Sequence, residues 1–206
     1  RTSDIINNLL SLNAFMRPEK IEFTEVDLGD VVTEAVRKLS DLATRKQVEI
    51  SVRRSSFLTV VGNASALQQI AINLIKNAIV YTRPEGTVLI TIGPNYHGYI
   101  DLTVQDSGIG IARKDLYRIF EPFYRAEQSR ARQYGGSGLG LAIVNELVKL
   151  HGGRIAISSA VRKGTTVVVS VPCGKAPDSQ SRNSNRKISQ SDEIEVDFSN
   201  RPSRRS

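Results

Sequence analysis

Hydrophobic positions along this chain switch several times between a helical and an alternating rhythm. Ile5, Leu9, Leu12 and Met16 recur at steps of four and three, one face of a helix suited to a partner helix, and Arg17-Pro18 breaks the pattern. The pattern starts with no cap before it, which predicts a longer parent chain. Leu28, Val31, Val32, Ala35, Leu39 and Leu42 form a second helical stripe, with Asp27 as N-cap, Asp30 in the first turn and an end near Arg45-Lys46. Val48, Ile50 and Val52 alternate as a strand, and residues 57–61 read as another. Gly62-Asn63 makes a turn, and Asn63 caps a predicted helix over residues 64–82 whose stripe is Leu67, Ile70, Leu74, Ala78 and Tyr81. Residues 87–92 and 99–106 alternate as two strands of a hairpin. A last helix carries Leu139, Ala142, Ile143, Leu147 and Leu150 and stops at His151-Gly152-Gly153. Ile155 and Ile157 begin a strand, and residues 164–171 form the final one, halted by Pro172.

Polar residues interrupt these stripes where chemistry is expected. Asn73 and Asn77 lie four apart on one side of their helix, beside the apolar face. They read either as satisfied boundary polar residues or as amide ligands, since an amide oxygen suits Mg²⁺ carried in by a triphosphate. Asp106 stands at a strand end, where Gly108 and Gly110 would let backbone approach a flat ligand without a Cβ in the way. Gly136, Gly138 and Gly140 precede or open the last helix, whose free N–H groups and positive dipole end suit phosphate.

Composition narrows the classes. A single cysteine, Cys173, excludes an internal disulfide framework and a cysteine-rich metal site, and His97 and His151 form no ligand cluster. No apolar run is long enough to span a bilayer and the first residues lack a signal-peptide core, so the expected compartment is the cytoplasm, or the cytoplasmic part of a larger protein. The net charge of +7 reads as a solvated surface plus a basic tail rather than a nucleic-acid site, because no aromatic RNA motif or zinc-finger spacing accompanies it. Residues 174–206, rich in Ser, Asn, Arg and Lys, are expected to be a disordered tail.

Taken in order, these pieces resemble the catalytic ATP-binding domain of sensor histidine kinases, within the superfamily of gyrase, heat-shock chaperone and mismatch-repair ATPases. Residues 69–82 resemble the N box, Asp106-Ser-Gly-Ile-Gly110 the G1 box, Phe120-Glu-Pro-Phe123 the F box and residues 136–141 the G2 box. The resemblance covers residues 18–173, and residues 1–17 resemble the end of the family's dimerisation hairpin. It implies an α+β fold: a two-layer α/β sandwich of the Bergerat type, with a mixed or antiparallel sheet of about five strands and helices on one face. It further implies that Asp106 accepts the adenine amine, that Gly108 and Gly110 flank the base and that Tyr81 belongs to the nucleotide site. Asn77 would ligate Mg²⁺ with Asn73 nearby, and backbone around Gly136, Ser137, Gly138, Leu139 and Gly140 would hold phosphates. Residues 112–135 would form an ATP lid pinned by Phe120 and Phe123, with Arg125 reaching the γ-phosphate.

The implied activity is γ-phosphoryl donation from Mg·ATP to a histidine of a dimerisation domain, with a response-regulator receiver downstream and possible pairing of two copies through the first helix. Three departures qualify it. The acceptor histidine is absent from residues 1–206; Val80 stands where the family often carries Lys or Arg, with Lys76 expected to project elsewhere; and Asn73 stands where the ATPase branches carry a glutamate base. The alternatives are an ATP-binding scaffold that transfers nothing, an ATPase clamp and a protein serine kinase.

Overall fold

The computed structural model describes residues 22–56, 58–95, 97–126 and 137–173. The stretches expected as a dimerisation helix (1–17) and as a tail (174–206) lie outside the described residues. The chain opens with β1 (Thr24–Asp27), which runs directly into α1 (Leu28–Lys46). Asp27 makes that junction: its carboxylate accepts from Gly29 N at 2.6 Å and Asp30 N at 3.2 Å, satisfying two of the orphan donors of a helix start. Gln47 closes α1 in the left-handed region, φ 54°, its N–H donating to the Ala43 and Thr44 carbonyls. β2 (Glu49–Arg54) and β3 (Thr59–Gly62) follow, then α2 (Ala64–Tyr81), capped as expected by Asn63, whose side chain accepts from Ala66 N at 2.9 Å.

The hairpin β4 (Thr87–Pro94) and β5 (Tyr99–Asp106) leads to a one-turn helix α3 (Arg113–Leu116); after it come α4 (Gly140–Leu150), β6 (Arg154–Ala160) and β7 (Gly164–Pro172). Five strands make one sheet in the order β2-β4-β5-β7-β6, with β2 parallel to β4 and every other pair antiparallel. The sheet is therefore mixed. Its register lines up apolar residues in rows across the strands: Ile90–Val104–Val167–Ile157, and Ile92–Leu102–Val169–Ile155. These rows are buried, while neighbours such as Thr91, Gln105 and Thr166 on the alternate positions stay partly or fully exposed. One face of the sheet thus carries the core, and the helices cover it with Val32, Ala35, Ile70, Leu74, Ile75, Ile143, Val144 and Leu147.

β1 was not foreseen. It buries only Val26, and its pairing with β3 joins segments more than thirty residues apart, so no local rhythm announces it. It makes a separate two-stranded sheet.

Helices α2 and α4 run antiparallel, and contacts at both ends show it. At one end His151, the C-cap of α4, reaches the start of α2: its Nε2 accepts from Asn63 N at 3.1 Å, and its Nδ1 donates to Leu147 O at 2.7 Å. At the other end Gly140, where α4 begins, lies against the amides of Asn73 and Asn77; a Cβ there would stand 3.6 Å from Asn73 Oδ1 and 3.8 Å from Asn77 Nδ2.

Candidate functional site

That second junction is one wall of a cleft of about 400 Å³ between α2, the end of β5 and the segments flanking residues 127–136. Asn73 is buried, with 8% of its surface exposed, and its Nδ2 has no hydrogen-bond partner. An orphaned buried amide is costly and uncommon. Asn77, one turn on, is half-buried and lines the same cleft. The two amides face the first turn of α4, whose unpaired N–H groups and dipole give the wall a positive bias. Among the described residues no group of three or more His, Cys, Asp or Glu could hold a metal, so a cation here would rest on amide oxygens and on oxygens of the ligand itself.

The opposite wall is the end of β5. Asp106 Oδ1 accepts from Gly108 N at 2.8 Å and from Thr165 N at 3.2 Å. Both bonds fall on one carboxylate oxygen, and the other is left for a ligand donor. Burial pushes the carboxyl pKa up, against the lowering effect of those two N–H groups. Gly108 and Gly110 both lie close against protein backbone, and Gly110 also lines the cleft. A Cβ on Gly108 would stand 2.5 Å from Tyr81 O, the carbonyl that also accepts from Ile109 N at 3.1 Å. A Cβ on Gly110, at φ 67°, would strike Ala160 O. Both glycines let the loop dock on protein backbone, at the end of α2 and on the β6–β7 turn, and Gly108 does not line the cleft. The loop is placed by packing rather than by its ligand.

The segment after Gly110 is tied down in the described residues up to Ala126. Leu116, Ile119 and Phe120 are buried in the core, and buried Asp115 accepts from the Tyr124 hydroxyl at 2.8 Å. That bond holds the Tyr124 pKa above its ordinary value. Phe120 thus anchors through its ring, but Phe123 does not: its side chain is 63% exposed and its backbone is left-handed, φ 65°. Its anchor is the main chain, where Phe123 N donates to Gly138 O at 3.0 Å, and a Cβ on Gly138 would stand 2.8 Å from the Phe123 carbonyl carbon. Arg125, Ser137, Gly138 and Gly140 line the cleft, Leu139 is buried beneath it at 2% exposure, and Gly136 lies outside the described residues.

Tyr81, at the end of α2, lines the cleft with 37% of its surface exposed. Three cations there were not singled out as site residues: Lys76, Arg83 and Arg162. Lys76, expected to project elsewhere, is among the lining residues, whereas Val80 is not. Arg83 and Arg162 flank turns, at the end of α2 and in the β6–β7 connection, where periodicity says nothing about side-chain direction. His97 lies in the β4–β5 connection and His151 is held at the junction of α2 and α4, so neither lines the cleft.

Residues 62–175 match the family described as histidine kinase-, DNA gyrase B- and HSP90-like ATPases. The chain is similar to the sensor-like histidine kinase SenX3 of Mycolicibacterium smegmatis, 35% identical over 188 residues that cover 91% of this chain and 48% of that protein. It therefore spans about half the length of this curated relative. Among solved structures it is similar to the mycobacterial sensor histidine kinase MprB, with 27% identity and a TM-score of 0.64 over 73% of this chain and 97% of that one. It is also similar to full-length ShkA in complex with AMPPNP, with 28% identity and a TM-score of 0.66 over 77% of this chain and 33% of that one.

Proposed function

Because the chain belongs to the family of histidine kinase-, DNA gyrase B- and HSP90-like ATPases, we propose that it binds Mg·ATP in this cleft and donates the γ-phosphoryl group to a histidine of a dimerisation domain. One observation carries the reading: the orphaned, buried amide of Asn73 beside Asn77, at the opening turn of α4 and across the cleft from Asp106. That arrangement suits a ligand with an amine at one end and a metal-bound polyanion at the other.

Asp106 would take the adenine N6 amine on its free oxygen, and a carboxylate there repels the O6 of guanine. Asn77 would hold Mg²⁺ with Asn73 alongside, and a bound Mg²⁺ supplies charge neutralisation on the phosphates. Backbone N–H groups from Ser137 to Gly140 would meet phosphate oxygens, and Arg125 would approach from the segment beyond Phe123. In the transfer the acceptor imidazole nitrogen forms the P–N bond as the P–O bond to ADP breaks, and the electron pair leaves with ADP. The chain's part is positioning and electrostatics. Asn73 is an amide, so it cannot serve as a base toward water, which favours transfer over hydrolysis.

His151 spends both ring nitrogens on structure, and the acceptor is assigned to a dimerisation domain to which residues 1–17 belong, in the same parent protein or a partner copy. Residues 18–173 would be the catalytic unit and a receiver domain the next carrier. No helix among the described residues is long and apolar enough to cross a membrane, and the proposed setting is the cytoplasmic side of a sensor.

Titration with a fluorescent ATP analogue, with and without Mg²⁺, tests the binding half, and Asn77→Ala should abolish the Mg²⁺ dependence. Transfer of label from γ-labelled ATP to a supplied histidine-bearing dimerisation domain, as an acid-labile product, tests the other half. Tight binding with no transfer would leave a nucleotide-sensing scaffold, and rapid basal hydrolysis would point to a clamp.

A further inference from the structure

We propose that Lys76 is the cation of α2 that grips the terminal phosphates, in place of a basic residue at position 80; the inference rests on the ATP reading above. Lys76 falls in the helical turn between Asn73 and Asn77, and all three line the cleft, while Val80 does not. The phosphate end of the cleft is located independently, because the amides of Asn73 and Asn77 lie against Gly140, where α4 begins. Asparagine amides are neutral and a helix start offers only about half a charge, so a triphosphate there still calls for full cations.

The other cations in the lining sit elsewhere or on another wall. Arg83 follows the C-cap Thr82, past the end of α2 at Tyr81, which is itself about 12 Å along the axis from Asn73. Arg162 is held at the Asp106 end, its backbone N donating to Ile109 O at 2.7 Å. Arg125 comes from the segment past Phe123 rather than from α2. The Lys76 side chain makes no hydrogen bond or ion pair with any described residue, although acidic partners occupy several other basic side chains on the surface. A half-buried lysine that lines the cleft with its side chain uncommitted can serve an anion brought by the ligand. A flexible stem also lets it follow the phosphates where a rigid fork could not.

The test compares Lys76→Met, Val80→Lys and the double variant against the unaltered chain, with Mg·ATP, Mg·ADP and adenosine as ligands. Lys76→Met should weaken Mg·ATP about ten- to a hundredfold, the usual worth of a charge-assisted bond, and leave adenosine within about twofold. It should also flatten the dependence of ATP affinity on salt. Adding Val80→Lys to it should restore much of the loss, which a merely structural role for Lys76 would not allow. Mg·ATP affinity within twofold of the unaltered chain in Lys76→Met would overturn the assignment. So would an equal loss for adenosine. If Asp106→Asn weakens ATP binding while Lys76→Met does not, only this inference fails; if the unaltered chain binds no Mg·ATP, the nucleotide reading fails with it.

Discussion

Asp106→Asn separates what this carboxylate does for a ligand from what it does for the fold. Both structural bonds, from Gly108 N and Thr165 N, end on Oδ1, and an asparagine oxygen can accept them unchanged. Burial raises the Asp106 pKa above its ordinary 3.8. A carboxyl raised on folding contributes stability that is full below about pH 3.8 and is lost as pH rises through the folded value. At pH 7.5 the charge is therefore a burden on the free protein, and the neutral amide removes it. Thermal unfolding of Asp106→Asn without nucleotide should occur at the same temperature as the unaltered chain, or higher. Binding should behave in the opposite way. The second position becomes an NH₂ donor facing the adenine amine, so one hydrogen bond to a charged acceptor is lost and two donors meet. A bond of that kind contributes about 1.5–3 kcal/mol, or roughly ten- to a hundredfold in Kd. Titration of both proteins with Mg·ATP and Mg·GTP by calorimetry reads this directly, and the preference for ATP should shrink. Unaltered ATP affinity would refute the assignment of the base to this end of the cleft. A large drop in unfolding temperature would show that the carboxylate holds the loop through its charge.

Asn73→Leu should trade function for stability. Removing a buried amide whose Nδ2 has no partner, with a side chain of similar volume, should raise the urea unfolding free energy by about 1 kcal/mol, while Mg²⁺-dependent nucleotide binding disappears; a destabilised variant would mean that the amide is satisfied in the free protein. The His151 pKa is lowered from 6.5 chiefly by burial, and protonation would also cost the Nε2 acceptor of Asn63 N. Its contribution is full above about pH 6.5 and falls as pH drops below that toward the folded value, so unfolding by urea at pH 7.5 and pH 5.5 should differ more in the unaltered chain than in His151→Leu.

Much of the architecture could be read from short-range signals, because the physics behind them is local. Asp27 and Asn63 were placed as caps from side-chain type and position alone, and their oxygens do accept the first helix amides. The alternation read in residues 87–92 and 99–106 already marked the face that the helices cover, with Ile90, Ile92, Leu102 and Val104 buried. The Asn73–Asn77 pair was visible as polar residues on an apolar edge, and the structure brings it to Gly140. What escaped was long-range or rotameric. β1 exists only through its pairing with β3. Gly108 and Gly110 looked like room for a ligand, but the atoms that exclude a Cβ belong to Tyr81 and Ala160. Lys76 lines the cleft although a helical wheel, which gives directions only to Cα–Cβ bonds, puts it away from Asn77. Phe123 was taken as a ring anchor, whereas its backbone makes the contact.

The bond from Phe123 N to Gly138 O has a bearing on how such a chain can diversify. The two described ends, at Phe123 and Gly138, are fastened to each other there. The length of chain between them is then uncoupled from the spacing of Asp106, Asn73 and Gly140, all of which are fixed by other contacts. A change that lengthens the chain beyond Ala126 therefore leaves the walls carrying Asp106, Asn73 and Gly140 where those other contacts set them.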